Sequence, residues 1–272
     1  MKAYVISLAA SGERRQFQQA QLRALGVPFE IVDAVSTQTL SSVAPQVATD
    51  GWERPLMPTE VACFHSHFQL WRRIAQDKMP ALILEDDAIL SQHLPAFLAM
   101  AQDLQDVDHL SLETRLRKKR IGPVRPLYTE LGMAPLYQDR TGAAAYILWP
   151  SGAHLLCQQA QLHGAALADA LISNLYQLRS WQAVPALAVQ SDVAAKYGIV
   201  SPLQTHSYIQ ANDHKANHRA RGLQAVRFKV RRITAQLKQA LRYVTTLSHA
   251  QRVFVAVHAT GFDTTTAHHP KH

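Results

Sequence analysis

The first 35 residues alternate between short apolar segments and one helical segment, and this order constrains the fold more than any other feature. Residues 3–8 (AYVISL) are apolar and rich in β-forming side chains, which predicts a buried strand. The segment that opens with SGERR predicts a helix that stops at Gly26, and VPFEIVDAV predicts the next strand. A strand–helix–strand order is typical of an α/β domain with parallel strands in one sheet.

Later segments continue this mixture of strands and helices. Helices are predicted over residues 58–76, 92–105, 151–160 and 167–178, and strands over residues 81–87, 108–114, 141–150 and 183–191. Loops are predicted over the polar residues 36–56 and over the basic, proline-interrupted residues 115–126. We therefore expect an α/β fold with a mostly parallel, Rossmann-like sheet flanked by helices.

Positive charge is concentrated near the C-terminus. The 272 residues carry a net charge of +8, and residues 214–262 contain ten Lys or Arg but no Asp or Glu. Between Val226 and Val244, apolar residues recur every three or four positions, which predicts a helix with one apolar face and basic flanks. Such a helix is typical of proteins that bind an anionic membrane surface, so we expect residues 226–244 to do so. The alternative is that the apolar face packs on the main domain or on another subunit.

The same basic segment bears on domain organisation and on nucleic acid as a partner. Few aromatic residues accompany its basic side chains and no nucleic-acid-binding module is recognisable, so we expect no nucleic-acid partner. The change in charge divides the chain into an α/β domain over residues 1–210 and a basic helical segment over residues 211–260. A disordered tail is expected over residues 261–272.

The sequence also bears on where the protein works. No segment reaches the roughly 20 apolar residues of a spanning helix. The apolar run at the N-terminus is too short and interrupted to predict a signal peptide. The two cysteines, Cys63 and Cys157, do not form a disulfide framework, which favours a reducing compartment. We expect a cytoplasmic protein.

Three consecutive carboxylates, Glu85, Asp86 and Asp87, follow the apolar residues of a predicted strand. Ligands of open α/β sheets bind at the carboxyl ends of strands, where this acidic turn lies. Crowded carboxylates repel one another unless a cation neutralises them, and oxygen ligands of this kind suit Mn²⁺ or Mg²⁺. Alternation along the strand places Glu85 and Asp87 on one side and Asp86 on the other. The acidic turn predicts a metal–phosphate site; the alternative is a solvated acidic turn.

The helix that begins at Pro58 carries a second group of candidates. Glu60, Phe64, His67 and Trp71 are spaced by four, three and four residues, so they share one helix face. His67 diverges from the nearby His65 on a helix, which disfavours a two-histidine metal site. We expect His67 to lie near the active site, bonded to the acidic turn, and we include Glu60 among the site candidates. A buried structural histidine is the alternative.

Several motifs in a fixed order resemble one enzyme family. They are VISLAASGERR, EVACFHSHFQLW, LILEDDAIL about 20 residues later, TGAAAYILWPSGA, and then Asp169. This ordered set, over about residues 1–195, resembles glycosyltransferase family 25, the bacterial lipooligosaccharide galactosyltransferases, whose distant relatives include collagen galactosyltransferases. The sequence departs from the family at Ser7, where relatives often carry Asn. Its last 50 or so residues show no resemblance to the family.

The resemblance implies a GT-A fold, a nucleotide-sugar donor such as UDP-galactose, a divalent metal and an inverting transfer that gives a β-linked sugar. It implies that Glu85 and Asp87 are the outer members of a DxD-like motif, with Asp86 between them toward the donor. The leaving nucleoside diphosphate explains the need for a cation. An inverting reaction also needs a base, for which Asp169 is the first candidate and Glu113 the rival.

Further candidates are assigned to the donor or to the site wall. Arginine matches phosphate oxygens and carboxylates bind ribose hydroxyls, so a first group is assigned to the donor nucleotide: Ser7, Arg14, Arg15, Asp33 and Asp86. A second group follows later strands or belongs to a glycine-bearing loop: Gly142, Gln190 and Asp192. A lipid-linked oligosaccharide at the inner face of the inner membrane is the expected acceptor.

Two other functions fit the residues. A metal-dependent phosphohydrolase would use the acidic turn and His67, and would act on phosphate esters without an acceptor sugar. A non-enzymatic membrane-binding protein would depend on the C-terminal helix alone. The ordered motifs favour the glycosyltransferase over both.

Overall fold

The predicted strand–helix–strand order forms a parallel portion at one end of the sheet. The computed structural model describes residues 1–43, 47–139, 142–203 and 222–262. Strand β1 (Lys2–Ser7) leads into helix α1 (Gly12–Ala24) and strand β2 (Phe29–Asp33). Strand β1 pairs in parallel with β2 on one side and with β3 (Ala81–Glu85) on the other. The carboxyl ends of these three strands therefore lie at one edge of the sheet.

The remaining elements alternate between helices and short strands. The helices are α2 (Pro58–Asp77), α3 (Leu94–Ala101), α4 (Pro150–His163), α5 (Ala168–Asn174) and α6 (Leu223–Thr245). The strands are β4 (Ala88–Leu90), β5 (His109–Ser111), β6 (Lys119–Ile121), β7 (Arg125–Tyr128), β8 (Leu131–Gln138), β9 (Ala145–Leu148), β10 (Ser180–Val184), β11 (Ala188–Gln190) and β12 (Gln251–Val253). Short 3₁₀ helices cover Ala194–Tyr197 and Ala259–Phe262.

The central sheet is mixed. Its order is β12-β6-β8-β10-β5-β9-β3-β1-β2, with β7 also paired to β8, while β4 and β11 form a separate pair. The β5–β10 pairing is parallel, as are those of β1 with β2 and β3, and the other pairings are antiparallel. The predicted α/β class, with helices flanking the sheet, is confirmed.

Alternation along the central strands sends side chains into two apolar cores, one on each face. In β3, Ile83 packs toward α2, α4 and α5, whereas Leu82 and Leu84 pack toward α1 and α3. The first core contains the aromatic residues of α2, among them Phe64 and Trp71. Helices on both faces bury the strands and leave the strand ends to form the site.

The predicted loop over residues 115–126 is partly wrong, because β6 and the start of β7 lie within it. The charged residues of this segment favour a solvated loop, but Lys119 and Arg120 are buried. Arg120 donates hydrogen bonds to Thr246, at 2.8 Å to both its hydroxyl and its carbonyl oxygen. Strand β12 then pairs with β6, so the C-terminal segment adds an edge strand to the main sheet.

Helix α6 forms where the apolar periodicity predicts it, but it does not pack on the protein through its apolar face. Phe228 and Thr246 are buried, and Arg242 lies over the rings of Tyr137 and Tyr176. The apolar stripe, by contrast, is 46–66% exposed at its six positions: Val226, Val230, Ile233, Leu237, Leu241 and Val244. None of the described helices is long and apolar enough to cross a membrane. The predicted boundary at residue 210 and residues 263–272 of the predicted tail lie outside the described residues.

Candidate active site

The acidic turn lies between β3 and β4 and is held by helix α1. Gln18 Nε2 donates to the carbonyl oxygens of Asp86 at 3.2 Å and of Ala88 at 2.7 Å. Gln21 accepts the Leu90 N–H at 2.8 Å. These buried amide contacts fix the backbone of the turn, and so they fix the directions of its three carboxylates.

Asp86 points to one side of the turn and is fully paired. Its two carboxylate oxygens accept hydrogen bonds from Ser7 Oγ at 2.7 Å and from Arg14 Nη1 at 3.0 Å. Glu85, the last residue of β3, faces His67 of α2 instead. Ser7, Arg14 and Asp86 therefore form one network at the carboxyl ends of β1 and β3.

Asp87 is the least satisfied of the three acids. Its Oδ1 is buried and has no hydrogen-bond partner among the described residues. Burial, with the charge of Glu85 next, raises the pKa of Asp87 to about 7, while Arg14 acts in the opposite direction. A buried, unpartnered oxygen beside a second carboxylate is where a hard divalent cation would relieve both the desolvation and the repulsion. The residues therefore fit the metal that the sequence implies.

His67 contacts the acidic turn as expected. Its Nε2 lies 3.3 Å from Glu85 Oε1, and its Nδ1 lies 3.0 Å from the Tyr146 hydroxyl. Trp71 can only donate, and its Nε1–H reaches the same hydroxyl oxygen at 2.8 Å. The Tyr146 hydroxyl can in turn donate its hydrogen to His67 Nδ1, and the His67 Nε2–H then donates to Glu85. His67 thus orients a carboxylate.

A sulfur atom lies close to the same carboxylate. Ligand atoms of Cys63, His67 and Glu85 all lie within 4.8 Å of one another. Burial raises the pKa of the Cys63 thiol far above its usual range, and the Glu85 carboxylate adds to the shift. Mn²⁺ and Mg²⁺ prefer oxygen to sulfur ligands, so the oxygen atoms of the turn are the better ligands for these ions.

Glu113 follows β5 and is fully buried. Its Oε1 accepts the Ala144 N–H at 2.8 Å. Burial raises its pKa to about 8, although Lys119 acts in the opposite direction. Gly142, with φ of +149°, lies alongside: a Cβ there would be 3.7 Å from Glu113 Oε1 and 3.0 Å from Asp139 Oδ2. Glycine lets this loop approach the two acids closely.

Lys119 contacts both Asp139 and Glu113, and the sequence did not predict it as a site residue. Its buried ammonium lies 2.6 Å from Asp139 Oδ2. It also donates to Gln182 Oε1 at 2.7 Å, to the Glu113 carbonyl oxygen at 3.0 Å and to Ser111 Oγ at 3.1 Å. The basic composition of residues 115–126 does not predict that one of their lysines is buried.

Asp169 lies in the first turn of α5, and the structure brings it near the other acids. Its Oδ1 accepts the Ala170 N–H at 2.7 Å. Burial raises the pKa of Asp169, and the charge of Glu85 adds to the shift. Asp169, Gly142 and Asp139 line a small cavity of about 20 Å³. Buried His109 also lines it, and neither of its ring nitrogens has a hydrogen-bond partner among the described residues.

The other predicted site residues lie around this centre in ion pairs. Arg15 binds Asp33 and donates to the Ser7 carbonyl oxygen at 2.7 Å. Arg115, which the sequence analysis did not select, binds both Gln190 and Asp192.

The contacts of Glu60 account for its position without a bound ligand. It pairs with both terminal nitrogens of Arg54, at 2.8 and 2.6 Å, and accepts the Met57 N–H at 2.9 Å at the start of α2. These contacts are those of a helix-capping residue.

Comparison with known proteins decides the family. The profile of glycosyltransferase family 25 (LPS biosynthesis protein) matches residues 1–171. The chain belongs to glycosyltransferase family 25. This range contains the candidate acids of the turn together with Glu113 and Asp169, and it ends before Gln190, Asp192 and α6.

Curated relatives within family 25 come from bacteria and from an animal. The chain is 29% identical over 205 residues to the lipooligosaccharide biosynthesis protein lic2B of Haemophilus influenzae, covering 69% of this chain and 75% of that protein. It is 31% identical to the lacto-N-neotetraose biosynthesis glycosyltransferase LgtE of Neisseria meningitidis, over 54% of this chain and 56% of LgtE. A mouse relative, "Inactive glycosyltransferase 25 family member 3", is 27% identical over 64% of this chain and 32% of its own length. None of these three names describes a phosphohydrolase.

Proposed function

We propose that this family 25 member transfers a hexose, galactose from UDP-galactose, with inversion to an oligosaccharide acceptor of lipooligosaccharide. The observation that carries the proposal is the buried, unpartnered Oδ1 of Asp87 next to Glu85 at the end of β3. In a glycosyltransferase, such a pair of acids suits a site for Mn²⁺ or Mg²⁺ beside the donor diphosphate. The strand ends would bind the donor in the manner of a GT-A fold.

Glu85 and Asp87 would hold the cation. When bound, the cation would offset the negative charge of the departing diphosphate. His67 keeps Glu85 oriented through its Nε2–H. On the opposite side of the turn, Asp86 holds the Arg14 guanidinium and the Ser7 hydroxyl at the strand ends, where the nucleotide of the donor would lie. Arg15 and Asp33 would border the same nucleotide.

Asp169 is the better base of the two candidates. Its carboxylate lines the cavity, and burial raises its pKa, which strengthens it as a base. The acceptor hydroxyl oxygen would attack the anomeric carbon, its proton would pass to Asp169, and the bond from that carbon to the diphosphate oxygen would break. An α-linked donor then gives a β-linked product. Glu113, with a pKa of about 8, is protonated at neutral pH and would hold a substrate hydroxyl.

The exposed stripe of α6 supports a peripheral place on the inner face of the bacterial inner membrane. Its apolar side chains would enter the headgroup region while neighbouring basic side chains contact anionic lipid. A lipid-linked acceptor would then meet the enzyme at the surface where both are bound.

A transfer assay with UDP-galactose, Mn²⁺ and O-deacylated lipooligosaccharide tests the proposed chemistry. Asp87→Asn should lower the transfer rate by about 100-fold or more, because it removes half of the carboxylate pair. The same variant should lose the increase in melting temperature that Mn²⁺ causes in the wild type. Asp103→Asn, an exposed acid beyond α3, is the matched control and should change neither quantity.

Two results would contradict the proposal. Full activity of Asp87→Asn in the presence of Mn²⁺ would remove the metal site. Equal thermal shifts with UDP-galactose, UDP-glucose, UDP-GlcNAc and UDP-GalNAc would remove the preference for galactose.

A further inference from the structure

A cleft of about 290 Å³ lies between helix α6 and the body of the protein. Its walls are the loop at Gly51–Glu53, the C-terminal end of α4, helix α5 and one side of α6. The volume is close to the lower end of the roughly 300–1,000 Å³ range of small-ligand pockets. Arg231 donates to the carbonyl oxygens of Asp50 and Trp52, so α6 is tied to the opposite wall. Hydrogen bonds therefore hold α6 in place as one wall of the cleft.

The lining of this cleft combines aromatic rings with hydrogen-bonding and charged groups. Trp52 and Tyr176 contribute rings, Asn174 contributes an amide, and Lys238 contributes an ammonium group. A sugar ring presents C–H groups on its faces and hydroxyl groups around its edge. Aromatic rings match the former, while the amide and the ammonium match the latter. A purely apolar ligand would leave these polar groups unpaired.

Helix α5 connects the cleft to the active centre. It carries Asp169 in its first turn and Asn174 at its end, so a rise of 1.5 Å per residue separates the two positions by about 8 Å along the helix. Tyr176 lines both the cleft and the small cavity that contains Asp169. The separation is within the reach of a disaccharide that has its reacting sugar at Asp169.

We infer that this cleft is an acceptor subsite, which binds a sugar ring that precedes the reacting sugar of the acceptor oligosaccharide. The inference rests on the proposed function for the identity of the acceptor. Lys238 and Arg231 outnumber Glu53, the acid among the lining residues, which gives the subsite a preference for acceptors that carry phosphate or carboxylate groups. The adjacent apolar stripe of α6 places the subsite next to the proposed membrane surface, where a lipid-linked acceptor presents its sugars.

Equilibrium binding of two probes, without donor, tests the subsite independently of catalysis. The probes are lactose, which is neutral, and an O-deacylated lipooligosaccharide, which is phosphorylated. Asn174→Ala and Lys238→Ala both change exposed side chains and should fold normally. We expect each to weaken binding of the phosphorylated probe by about tenfold. Trp52→Ala should weaken binding of both probes. Tyr128→Ala, an exposed aromatic residue on β7, is the matched control and should leave binding unchanged.

The outcomes separate the subsite from the proposed function. Wild-type binding of both probes by Asn174→Ala and Lys238→Ala would overturn the subsite, even if the wild type transfers galactose. No binding of either probe by the wild type would overturn it as well. If the variants weaken sugar binding but the wild type transfers no sugar from any UDP-sugar, the subsite stands and the proposed function fails.

Discussion

The active centre and helix α6 depart from ordinary burial in opposite directions. The active centre buries a carboxylate oxygen of Asp87 that has no partner among the described residues. Helix α6 exposes apolar side chains, such as Leu237 and Leu241, that the described residues leave uncovered. Folded chains ordinarily pair buried polar groups and cover contiguous apolar surface. Both departures indicate that something outside the described residues completes the surface.

The two regions differ in what would complete them. Hydrogen bonds from Ser7 at 2.7 Å, from Gln18 at 3.2 Å and from His67 at 3.3 Å hold the turn, so its geometry is set before a ligand binds. Helix α6 is held by a few contacts at its inner side, and the described residues leave its stripe 46–66% exposed. A small ion and a sugar nucleotide suit the first region, whereas a lipid surface, which has no fixed shape, suits the second.

Replacement of the proposed base gives the largest expected effect and tests the active centre. Asp169→Asn keeps an oxygen that can accept the Ala170 N–H, but it cannot take a proton. We expect the transfer rate to fall by about 10²- to 10⁴-fold while UDP-galactose still binds. In the wild type, activity should rise with pH as the Asp169 carboxyl loses its proton, and the variant should lack this rise. Steady-state rates at several pH values, with donor binding by calorimetry, measure both effects.

Glu113→Gln is the comparison for Asp169→Asn. The Glu113 carboxyl is protonated at neutral pH, so an amide of the same shape should lower the rate far less. If Asp169→Asn retains half of the wild-type rate while Glu113→Gln loses most of it, the roles of the two acids are reversed.

Introducing acids into the apolar stripe gives the next largest effect and tests α6. Leu237→Glu combined with Leu241→Glu replaces two exposed side chains, so the fold should be unaffected. We expect binding to vesicles that contain anionic lipid to weaken by about tenfold or more, because apolar area and positive charge are lost together. Donor hydrolysis in solution should not change. Vesicle cosedimentation measures the first quantity and release of UDP the second.

A charge-matched control separates the two contributions to membrane binding. Gln224→Glu combined with Gln236→Glu adds the same two negative charges to exposed polar positions of α6. This control should weaken vesicle binding less than the leucine variant. An equal loss in both variants would mean that the apolar stripe does not enter the membrane.

The sequence predicts the strand ends well because their chemistry is local. An apolar run followed by Glu85, Asp86 and Asp87 predicts both the strand and the acids at its carboxyl end, since both depend on neighbouring residues alone. The α2 spacing likewise predicts that His67 points toward the acidic turn. Only the structure reveals the contact between His67 and the Tyr146 hydroxyl, because it spans 79 residues of sequence.

The sequence fails where long-range contacts override local composition. Residues 119–121 are predicted as part of a basic loop, yet they form β6. Lys119 contacts four oxygen atoms, among them those of Asp139 and of Gln182, which is 63 residues away, and Arg120 binds Thr246. The same limit applies to α6. Periodicity predicts its apolar stripe but not which side of the helix packs on the protein. Arg115 was missed because its partners, Gln190 and Asp192, lie more than 70 residues away.

The smallest expected effect concerns stability. It tests whether burying the Glu113 carboxyl group in the active centre costs free energy when that group is ionised. The pKa of Glu113 is about 8 in the folded protein, against an ordinary value of 4.5. Between pH 5 and pH 8 the folded state therefore binds a proton that the unfolded state has released, so the free energy of unfolding falls as the pH rises.

Glu113→Gln removes this dependence, because an amide does not titrate. Relative to the wild type, its melting temperature should rise from pH 5 to pH 8 by about 3 °C or more, measured by calorimetry in EDTA. Glu13→Gln, at an exposed position in α1, should show no such trend. A Glu113→Gln difference that stays constant over this range would mean that the Glu113 carboxyl ionises at its ordinary pH, and that the described burial does not hold its proton.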